Sequence, residues 1–154
     1  MRKVRWVAVA AGVVLLVAGC GGEAGVKVEA ATVAKELDAA ATAAGFTKDL
    51  SIDTTGPEAK ECKVDWVVND PGKSADPKKS FADTIASLVE AGWTEGKSDR
   101  KGDVDMKIAT KGDWEVRGAA DLGEGIKAVV FAGTNTSSKC LPILIADQGN
   151  SKKH

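Results

Sequence analysis

Few side chains in this sequence are equipped for covalent or acid–base chemistry. Its 154 residues contain three cysteines, Cys20, Cys62 and Cys140, and a single histidine, His154, at the very end. One terminal histidine can serve neither a Ser/His/Asp triad nor a multi-histidine metal site. Serine, threonine and lysine are plentiful, but no G-x-S-x-G, Walker A or H-E-x-x-H pattern surrounds them. Asp103, Asp105 and Asp113 invite a calcium reading, yet they lack the spacing of an EF-hand loop. The favoured reading is a solvated strand face shared with Lys107, Glu115 and Arg117. No catalytic residue, metal ligand set or cofactor is expected. A net charge of −1 excludes a strongly basic nucleic-acid binder.

The first cysteine closes a recognisable segment. Arg2, Lys3 and Arg5 precede an uncharged apolar run over residues 6–17, and small residues follow. This is the layout of an export signal, and the run is shorter than the ~20 residues that span a bilayer. Its end, Val17-Ala18-Gly19-Cys20, resembles the lipobox of bacterial lipoproteins. That resemblance implies a diacylglycerol on the Cys20 thiol, cleavage just before it, and a cell-membrane location on the outer face. The alternative is an uncleaved N-terminal membrane anchor with Cys20 a bystander. Removing residues 1–19 takes away three basic residues and no acid, leaving 18 basic against 22 acidic, or −4. An acidic domain is repelled by anionic headgroups, so the lipid on Cys20 is expected to make the membrane contact.

Two cysteines then remain. In an oxidising exported compartment an even pair reads as one disulfide, Cys62–Cys140, closing a span of 78 positions. Such a bridge typically stabilises by ~2–4 kcal/mol. Two separate buried thiols are the alternative.

The elements that would carry these residues follow from periodicity. Residues 20–28 form a Gly-rich tether; eight residues of it reach at most ~28 Å. Residues 29–44 read as a helix with Val33, Leu37, Ala40, Ala41 and Ala44 on one face, stopped by Gly45. Residues 62–68 alternate as a strand with Cys62, Val64, Trp66 and Val68 inward. A polar loop leads to Ser80 and Asp83, an S-x-x-D capping signal, and a second helix over residues 81–91. The two helix ends, Ala44-Gly45-Phe46-Thr47 and Ala91-Gly92-Trp93-Thr94, match closely. They are either a repeat of a helix-then-strand unit or two ordinary glycine stops.

Residues 103–109 and 113–119 read as a hairpin. Placing Val104, Met106 and Ile108 on the same face as Trp114 and Val116 requires a three-residue loop, Thr110-Lys111-Gly112, with Ile108 opposite Trp114. After a turn at residues 121–125, the apolar run 126–132 reads as a central strand. Residues 133–138 read as a polar loop and 141–146 as a last strand, at an edge because Pro142 lacks an N–H. Residues 149–154 read as a frayed tail. The expectation is one α+β domain over residues 29–148: an antiparallel sheet of about four or five strands with two helices packed on one face.

Trp66, Trp93 and Trp114 read mainly as core residues; Trp93, which follows a helix stop, is the candidate binding hot spot should one be exposed. The Gly92-Trp93 pair, the Lys111-Gly112-Asp113-Trp114 hairpin and the late Cys140 look like features of small actinobacterial lipoproteins, a resemblance that implies an envelope location and no particular activity. The functional expectation is a lipid-anchored binding or interaction module for an envelope protein or small ligand. The other classes are a small hydrolase using Ser/Lys or carboxylates, and a purely structural envelope lipoprotein.

Overall fold

The computed structural model describes residues 27–53, 55–121 and 128–150. The expected signal, the lipid-bearing Cys20, residues 20–26 of the tether, residues 122–127 with most of the expected turn, and residues 151–154 of the tail lie outside them. Among the described residues the order is α1 (Ala30–Ala43), β1 (Lys63–Val67), α2 (Pro77–Glu90), β2 (Thr94–Glu95), β3 (Asp99–Lys101), β4 (Val104–Lys111), β5 (Trp114–Asp121), β6 (Ala128–Asn135) and α3 (Leu141–Asn150). The six strands make one antiparallel sheet ordered β1-β6-β5-β4-β2, with β3 also on β4. Because β2 and β3 share the outer edge of β4, the α+β sheet is five strands wide, and α1 and α2 cover one of its faces. No described helix is long and apolar enough to cross a membrane.

Both long helices end in the same device. The Phe46 N–H donates to the Ala41 carbonyl (3.0 Å) and the Trp93 N–H to the Leu88 carbonyl (3.1 Å), across glycines at φ +94° and +91°. This is the Schellman arrangement, which needs a left-handed residue just past the helix. Each end drives an aromatic ring into the core and then hands the chain to an opposite sheet edge. Lys48 bridges to Val68 beside β1, and β2 pairs with β4. The start of α2 differs from expectation. Asp76, not Ser80, is the cap: its carboxylate accepts the Lys79 N–H at 3.0 Å, and Pro77 opens the first turn. Asp-Pro is the stronger start signal, because proline has no N–H to orphan. Ser80 is instead buried, 2.8 Å from the Ser74 hydroxyl.

The hairpin register also departs from expectation. Lys111 lies opposite Trp114 and Ile108 opposite Arg117, so the turn has two residues, Gly112 and Asp113. Gly112 does take positive φ, +58°, at the first central position where a two-residue turn favours glycine. The helix-covered face of β4 therefore holds Ala109 and the stems of Lys107 and Lys111, while Val104, Met106 and Ile108 point to the other face. The physical reason is space. Four large rings, Trp66, Phe81, Trp114 and Phe131, are packed between helices and sheet. Gly118 leaves the space that Phe81 and Phe131 occupy, and Ala109 and Ala120 are small, fully buried members of the same cluster. The preceding hairpin repeats the device: Lys101-Gly102-Asp103-Val104 turns with Lys101 opposite Val104 and Gly102 at φ +63°.

Residues 141–146, expected as an edge strand, belong to α3. Pro142 stands in the first helical turn, where its missing N–H costs nothing. The apolar run forms β6, an interior strand between β1 and β5, but it continues to Asn135 into the first half of the expected loop, and Gly149 and Asn150 of the expected tail are helical. Cys62 and Cys140 are bridged, with Cα atoms 5.4 Å apart. With Leu144 they form a small apolar cluster separate from the main core.

Two measurements check this packing. A Cβ at Gly118 would lie 2.8 Å from a Phe81 ring carbon and 2.9 Å from one of Phe131. Gly118→Ala is expected to cost about 1–3 kcal/mol by overpacking, read from the denaturant midpoint. A midpoint equal to wild type would contradict the packing. Because α3 is joined to the domain through its own cluster, reduction of Cys62–Cys140 is expected to unprotect amides of residues 141–148 before those of β4 and β5. Hydrogen exchange with and without reductant reads this, and simultaneous loss in α3 and the hairpin would refute it.

Candidate functional site

The chain leaves α1 at Gly45 and runs beside β1 before crossing to it. The Asp49 N–H donates to the Val67 carbonyl (2.8 Å) and the Asn69 N–H to the Thr47 carbonyl (2.7 Å). These bonds extend the sheet beyond β1 and hold residues 48–53 as a raised rim. Between the rim, the first turns of α1 and β1 lies a cleft of about 480 Å³. Its walls include Ala30, Ala31, Ala34 and Val64; Lys48, Lys60 and Lys63 face Asp49, Asp53 and Asp65 around it.

The charges are paired in an order the distances define. The Lys63 ammonium lies 2.8 Å from the Asp65 carboxylate, which also accepts the Thr55 hydroxyl at 3.1 Å. Lys60 lies 3.6 Å from Asp53. Asp49 accepts both the Ser51 amide (2.9 Å) and its hydroxyl (2.6 Å), and Asp53 accepts the Thr55 amide (3.1 Å). The Ser51 hydroxyl, then its amide, hold the Asp49 carboxyl below the usual carboxylate range. The Thr55 amide, then the Lys60 charge, do the same for Asp53. Both aspartates therefore shape the rim by closing short turns. Leu50 and Ile52, between them, are 86% and 44% exposed.

A second cleft, about 260 Å³, lies between α3 and the sheet face that α1 and α2 leave uncovered. Leu141, Leu144, Ile145 and Gln148 form its helical wall, opposite Glu115, Arg117 and Thr134. Lys63 lines both clefts.

The polar groups of the larger cleft are committed to one another. A Ser/Lys hydrolase needs an amine acting on the hydroxyl. Here the Thr55 hydroxyl and the Lys63 amine converge on one carboxylate instead. Among the described residues no group of three or more His, Cys, Asp or Glu side chains is arranged to hold a metal. Asp103 and Asp113 sit in turns at opposite ends of β4, and Asp105 is tied by two nitrogens of Arg100. That bond also holds the Asp105 carboxyl below the usual range. Trp93, the candidate hot spot, is buried at 3% exposure; its indole N–H donates to Glu36 (2.7 Å) and the Lys111 ammonium stands 5.9 Å from the ring centre. Sequence reading passed over residues 48–65 as a loop and a strand. The one local signal was the apolar pair Leu50 and Ile52 inside a polar stretch.

Comparison with protein-family models, with curated proteins and with solved structures finds no match to this chain.

The rim has a pH dependence of defined sign. Carboxyls held low in the fold contribute order above the ordinary carboxylate pKa of about 3.9 and lose it as pH falls through their lowered values. The Ser51 and Thr55 amide resonances are expected to titrate with midpoints below that of a free aspartate. Midpoints at or above the ordinary value would show that the two turns do not form as described.

Proposed function

We propose that the chain is a lipid-anchored extracytoplasmic binding module, held to the cell membrane through Cys20 and recognising its ligand in the clefts beside β1. The observation that carries the binding role is the larger cleft. Charges of both signs line an alanine-walled recess. Such a surface fits a ligand carrying both charges and a small apolar face, such as a segment of an envelope protein or a small zwitterion. The lipobox at residues 17–20 supports the anchor, and the Cys62–Cys140 bridge suits an exported, oxidising location.

Cys20→Ser is expected to abolish acylation and leave the protein unprocessed or released from the membrane fraction. Mass spectrometry finding wild-type Cys20 unmodified and still joined to Gly19 would overturn the anchor. For the cleft, envelope extracts passed over the acylated protein are expected to yield a ligand that Lys63→Ala combined with Asp65→Ala fails to retain. Identical retention by both proteins would move the binding site elsewhere.

A further inference from the structure

Large apolar side chains are not scattered over this surface. Among the described residues Leu50, Ile52, Val89, Leu141 and Ile145 are the exposed ones, and all but Val89 line the two clefts that share Lys63. Among the described residues the two adjoining clefts thus carry four of the five exposed large apolar side chains. Leu50 and Ile52 stand out among them, because the backbone is built to keep them out. Residues 47–49 are bonded along β1, and the turns closed by Asp49 and Asp53 occupy the neighbouring polar groups. With the backbone on either side held in these bonds, Leu50 and Ile52 stand exposed.

The chain's covalent path says what lies opposite. The rim shares its cleft with Ala30 and Ala31, in the first turn of α1. Lys27 stands three residues earlier. From Cys20 to Lys27 the chain spans seven residues, at most about 25 Å when extended. A lipid on Cys20 therefore holds the first turn of α1, and the rim beside it, close to the bilayer in which that lipid is seated. Lys48 borders the rim and suits a phosphate headgroup at its margin, whereas Lys60 lies 3.6 Å from Asp53 and balances that carboxylate.

We infer that the rim formed by residues 48–53 is a second membrane contact, with Leu50 and Ile52 entering the interfacial layer of the same bilayer that holds the Cys20 lipid. The inference rests on the lipid anchor proposed above. The tether makes the docking intramolecular. A short linker supplies an effective concentration in the millimolar range, so a patch too weak to bind membranes by itself remains engaged. Its consequence is orientation: the open sheet face and α3 would be held at a set angle to the membrane instead of tumbling on a leash.

The test uses the full chain, processed and acylated, in vesicles of equal phosphatidylcholine and phosphatidylglycerol with brominated acyl chains. Leu50→Trp and, as a second variant, Ile52→Trp replace exposed side chains. The native tryptophans Trp66, Trp93 and Trp114 are buried and give a low quenching background. Lys101→Trp is the reference. It lies on β3, beyond β6, β5 and β4 from β1, about 19 Å across the sheet. Bromolipid quenching at position 50 or 52 is expected to exceed that at position 101 at least twofold, with a blue-shifted emission. Flotation of wild type but not of Cys20→Ser reads the anchor separately. If the wild type floats while positions 50 and 52 quench no more than position 101, the membrane contact is overturned and the anchor stands. Shielding of position 50 that appears only when envelope proteins are added would also overturn it, in favour of a protein partner. Failure of the wild type to float would remove the anchor and the inference together.

Discussion

Three indole N–H groups are buried in this domain, and α1 or the residue leading into it accepts every one. Trp66 donates to Asp38 (2.9 Å), Trp93 to Glu36 (2.7 Å) and Trp114 to the Val28 carbonyl (2.8 Å). Each ring is at most 3% exposed, so an acceptor lost from α1 would strand a buried donor, at about 1–3 kcal/mol each. The donors come from β1, from the end of α2 and from β5. Their demands fix α1 in translation and in rotation about its axis. Leu37, between the two carboxylate acceptors, then faces inward with Val33 and Ala41. Lys111 adds a fourth tie: its ammonium reaches Glu36 and the Ala91 carbonyl at the end of α2, both within 2.9 Å.

The same rings dictate what lies beneath them. Bulky aromatics facing a sheet need small residues under their faces, and β4 and β5 supply Ala109, Gly118 and Ala120. Sequence alternation does not reveal this, because it scores Ile108 and Met106 as better core residues than Ala109. Hydrophobicity and shape disagree here, and shape decides, since an interior packed at crystal density has no room for both a ring and a branched chain at one point. The displaced side chains Val104, Met106 and Ile108 supply part of the half-buried opposite face.

What was legible in the sequence was what depends on near neighbours. The two glycine-stopped helices, the alternation of β1, the interior β6 and the positive φ at Gly112 follow from local chemistry. The pairing of Cys62 with Cys140 followed from counting two cysteines after Cys20 in a sequence that reads as an exported one. Two misreadings came from signals that local rules leave ambiguous. Pro142 suits an edge strand and a first helical turn equally well, and Ser80 stands where a cap would if Asp76-Pro77 did not start α2 a turn earlier. The candidate site was hardly legible. Lys48, Lys60, Lys63 and Asp65 come together only because the chain folds back along β1, and no spacing rule connects them.

The indole bonds also give the site its geometry relative to the rest of the chain. Val28 is pinned by Trp114, and Ala30, Ala31 and Ala34 form a wall of the cleft only two to six residues later. The preceding chain therefore enters at a point set by a core hydrogen bond, beside the cleft and the rim. A hinge between Val28 and α1 would uncouple the cleft from whatever holds the preceding chain, and the Trp114 bond opposes such a hinge. The residue that opens β5 thus also sets the direction in which the larger cleft is presented. Packing in the core and presentation of the surface are joined at one indole nitrogen.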